Sequence, residues 1–243
     1  MKRKLLTGIV TLTVCISMFA ATNMCIKLED GQIVKYDVEN VVEVYYETII
    51  NDTTPPLIDS FIVDASETSL EFRILSDTTA EVAKGDQDRD LDTLNIPSKV
   101  RIDGKVYEVT SIGYAAFSNC SSLVSITIPE SVTSIGDHVF EECTSLASIT
   151  IPEGVTIIGS STFSGCSKLA SITIPKSVKS IESFAFASCT NLASITIPES
   201  VTHIGSRAFS NCENLDVVIE NSKENVEIED SSFPGWKSVT YTK

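Results

Sequence analysis

Apolar and polar residues recur at fixed positions through most of this chain. Around five cysteines the same order of residues returns: Ser-Val-Thr-Ser-Ile-Gly, then a Phe, the Cys, a Leu, and Ser-Ile-Thr-Ile-Pro. The interval between neighbouring cysteines is constant, and they are Cys120, Cys143, Cys166, Cys189 and Cys212. A fixed period of this length is typical of stacked coils. Because one coil is too small to bury a core alone, the repeated apolar positions must fill an interior that neighbouring coils share.

Each coil is predicted to contain one short strand. In the second repeat, Leu146, Ile149 and Ile151 alternate with polar residues. Pro152 ends this strand, because proline lacks the N–H group that a ladder needs. Four of the five coils share the strand and the proline. Stacked in register, such strands form a parallel sheet with about 4.8 Å between neighbours.

The rest of each coil is predicted to return the chain to the next strand. Gly136 permits a tight bend, and Asp137 can cap a single helical turn that points Phe140 inward. Equivalent aromatic residues are Phe117, Phe163, Phe186 and Phe209. The pattern therefore predicts a curved, right-handed solenoid with a concave parallel sheet and convex arms of 3₁₀ or one-turn helices.

The segments on either side of the repeats differ from them. An alternating stretch with a Glu29-Asp30-Gly31 turn indicates a β-hairpin, and Pro55-Pro56 indicates a linker. The C-terminal Phe233 and Trp236 keep the Phe-to-Cys spacing, so Trp236 stands where a cysteine would be. The predicted organisation is a signal peptide (1–20), a small β module (21–50), a linker (51–65), an N-terminal β cap with an atypical repeat (66–109), 23-residue repeats (110–221) and a C-terminal cap (222–243).

The first twenty residues are typical of an export signal. Lys2, Arg3 and Lys4 form a basic start before the apolar run from Leu5 to Ala20. No later segment resembles a membrane span, so the mature protein is expected to be secreted or held at the cell surface by other means. A lipid anchor on Cys25 has little support, since Thr22-Asn23-Met24 lacks the small residues that a lipoprotein signal shows.

The chain is strongly acidic, with a net charge of −15. Without the predicted signal it would keep 15 basic and 33 acidic residues, a net charge of −18. Such a surface repels phosphate backbones, which argues against nucleic acid as a partner. The simplest interpretation is that the acidity favours solubility.

The cysteine spacing argues against a disulfide framework. Residues at one register of every coil form one stripe, and five of them cannot all pair with each other. A ladder of inert buried thiols is the favoured interpretation, because cysteine is a small apolar filler. Disulfides between adjacent coils remain the alternative, since stacking could bring two thiols within bonding reach.

Candidate catalytic and metal-binding groups are few. An acidic loop could supply calcium ligands, but Leu91 stands where an EF-hand needs glycine and Pro97 where it needs glutamate. Its carboxylates are Asp86, Asp88, Asp90 and Asp92. The two histidines, His138 and His203, occupy different registers of separate repeats. The sequence therefore predicts no enzyme, no metal site and no cofactor.

The repeat pattern carries a family resemblance. Leu, two variable positions, Ile-Thr-Ile-Pro, Val, Ile-Gly, Ala-Phe and Cys resembles the leucine-rich repeats of BspA-like bacterial surface proteins, and the match runs from Leu94 to Lys243, more than half of the chain. The lead-in from Asn95 to Gly113 resembles the first repeat of that family. The resemblance implies a leucine-rich repeat horseshoe that is secreted or displayed on the cell surface for adhesion or protein contact. Residues 21–65 lie outside it.

The concave face of the predicted sheet is the candidate binding surface. Its outward side chains form two ladders of small hydroxyls: Ser125, Thr127, Ser148, Thr150, Ser171, Thr173, Ser194 and Thr196. A rigid face costs little ordering entropy on association. The plainer interpretation is that threonine suits strands and serine is tolerated there.

Three functions are compatible with these observations. The favoured one is an exported, non-catalytic recognition or adhesion protein that binds an extracellular protein or glycan. The alternative is a structural spacer of the cell envelope without a specific ligand. A remote third function is ice binding by the repeated Ser-Ile-Thr array. A curved face and serine at half of the positions disfavour it.

Overall fold

The computed structural model describes residues 13–15, 23–27, 33–37, 62–85, 91–229, 231–232 and 238–242. The chain forms two compact units, Met1–Pro55 and Pro56–Lys243. Several predictions concern residues outside the described ranges, at least in part. They are the signal peptide (1–20) apart from residues 13–15, the Glu29-Asp30-Gly31 turn, the linker (51–65) up to residue 61, the acidic loop apart from Asp92, and the placement of Phe233 and Trp236.

The N-terminal unit contains an antiparallel sheet of three strands. In spatial order they are β1 (Thr13–Cys15), β2 (Asn23–Lys27) and β3 (Ile33–Asp37). β2 and β3 pair from Asn23 opposite Asp37 to Lys27 opposite Ile33, which confirms the predicted hairpin. β1 lies within the predicted signal segment, whose cleavage stays a prediction.

The second unit begins with a β cap. Its elements are β4 (Ile62–Asp64), a 3₁₀ helix (Ala65–Glu67), β5 (Glu71–Ile74), β6 (Thr79–Ala83), β7 (Thr93–Asn95), β8 (Lys99–Ile102) and β9 (Lys105–Ile112). Apart from β7, the strands form a sheet in the order β4-β8-β9-β6-β5. β8 and β9 join through a turn at Asp103 and Gly104, whose φ angles are 51° and 79°. Positive φ at both central residues matches the twist of a tight hairpin, which is why Asp-Gly serves here.

The later coils contribute strands of two kinds. In chain order they are β10 (Ser125–Thr127), β11 (Ser134–Ile135), β12 (Ser148–Thr150), β13 (Ile157–Ile158), β14 (Ser171–Thr173), β15 (Ser180–Ile181), β16 (Ser194–Ile197), β17 (His203–Ile204), β18 (Asp216–Ile219), β19 (Glu227–Ile228) and β20 (Ser238–Tyr241). The first strand of each coil is the predicted one. The second strand was not predicted, because two residues are too few to show an alternating pattern.

The first strands form two parallel ladders, β7-β10-β12-β14 and β16-β18-β20. Ser125 pairs with Ser148 and Ser148 with Ser171, one full repeat apart. Ser194 instead pairs with Asp216, one position short of a full repeat. The fifth coil is therefore shorter by one residue before its strand than the preceding coils.

The second strands form a parallel sheet on another side of each coil. β13, β15, β17 and β19 pair in that order, and β11 pairs with β9 of the cap. The strands β19 and β20 belong to the predicted C-terminal cap. β19 pairs in parallel with β17 of the second-strand sheet, and β20 pairs in parallel with β18 of the first-strand ladder. The end of the chain is thus built as a further coil.

The convex arms are not helical, contrary to the prediction. Each arm is a series of turns with two residues at positive φ, four positions apart, such as His138 at 59° and Glu142 at 58°. A right-handed helix cannot pass through such residues. Alternate N–H groups of each arm bond to the next coil instead, as Phe140 N does to Thr162 O at 2.9 Å. Asp137 caps no helix either, since its Oδ1 accepts from Ser160 N of the next coil at 2.8 Å.

The core is a spine of repeated columns, as predicted. The five phenylalanines are at most 1% exposed, and neighbouring rings stack with centroids 5.3–5.7 Å apart and interplanar angles of 4–13°. The repeated leucine, isoleucine and valine positions fill the space around them. The buried set joins the cap and the repeats into one continuous core.

Candidate functional site

The predicted binding residues lie where the sequence placed them. On β10, β12, β14 and β16 a buried isoleucine separates two outward hydroxyl residues. Seven of the eight predicted side chains are exposed, and Ser125 is half-buried. We call the surface that these side chains form the Ser/Thr face. Strand pairing in register aligns the residues of β10, β12 and β14 as two columns, and β16, in the second ladder, carries the same pattern.

The two columns extend beyond the eight predicted residues. Thr93 and Asn95 of β7 pair with Ser125 and Thr127. At the other end, the serine column continues into Asp216 and Ser238, whose hydroxyl donates to Asp216 Oδ1 at 2.6 Å. The threonine column continues into Val218 and Thr240. The extension into β7 could have been predicted from the sequence, because Thr93-Leu94-Asn95-Ile96-Pro97 has the spacing of Ser-Ile-Thr-Ile-Pro.

The middle of the Ser/Thr face is a shallow depression of about 280 Å³. It is lined by Ser125, Ile126, Ser148, Ile149, Thr150, Ser171, Ile172 and Thr173. Short side chains on three adjacent strands leave the sheet backbone close to the surface. An approaching molecule can therefore contact hydroxyls and the strand surface together.

The two margins of the face differ in charge. Before the strands lie the exposed side chains Val124, Ala147, Ala170 and Ala193. On the other margin, an exposed charged residue follows the proline that ends each strand: Glu130, Glu153, Lys176 and Glu199. In the fifth coil, which lacks the proline, the exposed Glu220 directly follows the strand. Four carboxylates against one ammonium make this margin negative. The field there attracts cations.

The repeated cysteines are structural thiols. All five are buried and none is in a disulfide, as the favoured interpretation predicted. Burial raises the pKa of Cys143, Cys166 and Cys189 well above its ordinary value, and that of Cys212 to about 11. A thiol must lose its proton to act as a nucleophile or metal ligand. The thiols of Cys143, Cys166, Cys189 and Cys212 therefore stay protonated at neutral pH.

The two histidines lie apart and have different neighbours. His138 Nδ1 lies 3.1 Å from Glu141 Oε2. His203 lies on β17, where its ring nitrogens are 3.7 and 3.9 Å from carboxylate oxygens of Glu227 and Glu229. These contacts of His138 and His203 are with glutamate carboxylates, and none is with a hydroxyl or a thiol. Within the described residues, no group of His, Cys, Asp or Glu side chains could hold a metal ion, and no helix is long and apolar enough to span a bilayer.

Stacked coils with a short strand and a shared Leu/Phe/Cys core define a leucine-rich repeat protein. Residues 109–240 match the BspA type leucine-rich repeat region in six copies. The chain therefore belongs to this family. The matched range includes residues 222–240, most of the predicted C-terminal cap.

Solved structures of bacterial proteins share the fold. A leucine-rich repeat protein from Bacteroides ovatus is 40% identical, with a TM-score of 0.59 over 63% of this chain and 41% of that chain. A leucine-rich cell surface protein from Faecalibacterium prausnitzii is 30% identical, with a TM-score of 0.59 over 71% and 53%. The T. pallidum leucine-rich repeat protein is 29% identical, with a TM-score of 0.56 over 71% and 83%.

The chain spans about half or less of the length of the first two of these proteins. No curated protein matches it.

Proposed function

We propose that this chain is an exported, non-catalytic recognition protein that binds an extracellular partner through the Ser/Thr face. The observation that carries the proposal is the alignment of exposed hydroxyls from successive coils above a rigid, stacked core. Because strand pairing and the core already hold these groups in place, little conformational entropy is lost when a partner binds. Leucine-rich repeat surfaces of this kind suit a large, extended contact.

Two further observations support this class of function. Catalysis needs groups that converge within hydrogen-bond reach of one reacting atom. The five repeat thiols are buried, and the two histidines lie on separate coils. Export is supported by the basic and apolar N-terminus, and by the similar protein from Faecalibacterium prausnitzii that is named as a cell surface protein.

Of the two expected partner classes, the Ser/Thr face favours a protein. Sugars commonly stack on aromatic rings, and none of the side chains that form this face is aromatic. A protein can supply its own large side chains to the shallow depression around Ser148 and Ile149. Basic residues on that protein would complement the negative margin that contains Glu130 and Glu153.

The experiment is a pull-down of extracellular matrix proteins with the full chain, alongside a glycan array. Any bound protein is then titrated with a Thr150→Lys and Thr173→Lys double variant, which places two long cations in the depression. We expect at least a tenfold loss of affinity, about 1.4 kcal/mol. Thr202→Lys, an exposed site beside β17, is the matched control and should bind as the wild type does. If the double variant binds equally well, the Ser/Thr face is not the binding site.

The competing function is a structural spacer. The uniform small hydroxyls favour it, because binding hot spots are usually built on tryptophan, tyrosine and arginine. A spacer would retain no extracellular protein in the pull-down. Retention of one protein at micromolar affinity would exclude the spacer interpretation.

A further inference from the structure

A tyrosine, a histidine and a glutamate meet on the arms of the first two coils. Tyr114 follows β9 and is 68% exposed, the largest value among the exposed large hydrophobic side chains of the described residues. Its ring centroid lies 5.3 Å from that of His138, with the ring planes tilted by 59°. His138 Nδ1 lies 3.1 Å from Glu141 Oε2. The side chains of His138 and Glu141 are 30% and 34% exposed.

The backbone holds this group in place. Ala115 N bonds to Asp137 O at 2.9 Å and His138 N bonds to Ser160 O at 2.9 Å, so the residues beside and within the group are tied to the next coil. The first two coils also approach closely here, because a Cβ on Gly136 would come within 2.8 Å of Tyr114 N. The ring is therefore carried by backbone that two adjacent coils hold in place.

The group departs from the repeat. The position of Tyr114 is occupied in later coils by Asp137, Ser160, Ser183 and Ser206. The position of His138 is occupied in other coils by Ala115, Ser161, Phe184 and Arg207. Stacking of the coils therefore requires neither a tyrosine nor a histidine. Tyr114 and His138 face each other at this pair of coils because of their own identities.

We propose that Tyr114, His138 and Glu141 form a saccharide-binding subsite, separate from the Ser/Thr face. A pyranose has an apolar C–H face with hydroxyls around it. The negative face of an aromatic ring attracts such C–H groups, and a carboxylate accepts strong hydrogen bonds from hydroxyls. The structure supplies both, since Tyr114 is open to solvent and Glu141 holds its carboxylate beside the histidine.

An apolar protein side chain is a poorer fit to this group. Hot-spot residues of protein partners bind in closed, desolvated pockets. Tyr114 is too exposed to form the wall of such a pocket, and its ring partner His138 is polar. A sugar instead needs one open ring with polar groups at its edge, which matches the observed arrangement.

The test uses the full chain, biotinylated and assembled on streptavidin to raise weak binding by multivalency. The probe is an array of neutral and acidic oligosaccharides, and the strongest binders are then titrated in solution by saturation-transfer NMR. Tyr114→Ala should lower the affinity by about tenfold or more, and Tyr114→Phe should stay within about threefold, because the ring is kept. Glu141→Gln should weaken binding by about threefold or more, since the charge-assisted bond is lost.

Ser183→Ala is the control, because it changes the same position of a later coil. It should bind as the wild type does, and all variants should melt within about 2 °C of the wild type, as expected of surface substitutions. The proposal is wrong if the wild type binds no oligosaccharide, or if Tyr114→Ala binds as the wild type does. Unchanged binding by Glu141→Gln would remove the carboxylate from the subsite. A protein retained through the Ser/Thr face would be unaffected by either result.

Discussion

The thiol of Cys166 donates a hydrogen bond to the backbone carbonyl oxygen of Phe140, one coil back, with an Sγ···O distance of 3.1 Å. The same oxygen accepts the N–H of Cys143 at 3.2 Å. The carbonyl oxygen of Phe140 thus accepts one hydrogen bond from its own coil and one from the thiol of the next coil. The contact recurs from Cys143, Cys189 and Cys212 to the carbonyls of Phe117, Phe163 and Phe186. Cysteine here combines small size with a donor, which alanine lacks.

Replacing Cys166 with alanine should therefore destabilise the fold modestly. We expect a loss of about 1 to 2 kcal/mol, from the hydrogen bond and from the small cavity left by sulfur. Urea denaturation followed by circular dichroism measures it. Thr156→Ala, at an exposed site of the same coil, should change the stability by less than about 0.5 kcal/mol. Equal effects of the two substitutions would contradict a structural role for the thiol.

The thiol ladder also predicts a fall in stability at high pH. Burial raises the folded-state pKa of these thiols, to about 11 for Cys212, whereas a thiol in an unfolded chain titrates near 8.5. The unfolded chain then loses protons first, so stability is complete below about pH 8.5 and decreases as the pH rises towards the folded pKa. Each buried thiol should contribute a slope of about 1.4 kcal/mol per pH unit in that window.

Urea midpoints between pH 8 and 11 measure this dependence. Tyrosine and lysine also titrate there, so the decisive quantity is the difference between the wild type and Cys189→Ala. The variant should show a shallower decline by the share of one thiol. Parallel curves would mean that the ladder thiols do not govern the high-pH behaviour.

The phenylalanine stack predicts a large cost for truncation. Phe163 is fully buried, between Phe140 and Phe186 at 5.5 and 5.3 Å. Phe163→Ala should lower the free energy of unfolding by about 3 to 5 kcal/mol, as for other buried aromatic residues. Chemical denaturation checks this value. Phe184→Ala is the comparison, because Phe184 is 38% exposed, and it should cost far less. A loss below about 1 kcal/mol at Phe163 would be incompatible with the stack.

Close packing of coils predicts different responses at two glycines. A Cβ on Gly136 would lie 2.8 Å from Tyr114 N and 3.0 Å from Gly113 C, both backbone atoms. Gly136→Ala should cost about 1 to 3 kcal/mol, because backbone must shift. A Cβ on Gly154 would instead meet the terminal methyl of Thr133 at 2.9 Å.

Gly154→Ala should therefore cost less than about 1 kcal/mol, since a side-chain rotation relieves the contact. Thermal melts of the two variants give the comparison. The reverse order of stability would show that the coils are not packed as described at Gly136.

Much of this fold could be predicted from the sequence because the same pattern of residues occurs in every coil. The positions of Ile149, Phe163 and Cys166 were predictable, since each recurs in the same register and a wrong assignment would fail in every coil. The same logic placed Ser148 and Thr150 on the outward side of their strand. Alternation with a period of two leaves these residues no other side.

The features that were missed are those without a periodic signal. Ser134-Ile135 is too short for alternation, so its strand shows only in the backbone pairing. The left-handed conformation of His138 and Glu142 depends on hydrogen bonds to the next coil rather than on residue type. The contact of Tyr114 with His138 occurs at one pair of coils, and a repeat average conceals it.

The short fifth coil has a consequence for how the chain winds. Because the buried columns are nearly the same in every turn, a stack that slipped by one whole turn would bury equivalent side chains and would compete with the correct one. The shortened spacing between Ser194 and Asp216 removes that degeneracy. After a slip, the fifth strand would be out of phase by one position, and Val217 would face water instead of the interior. The shortened spacing therefore disfavours a stack that has slipped by one turn relative to the correct one.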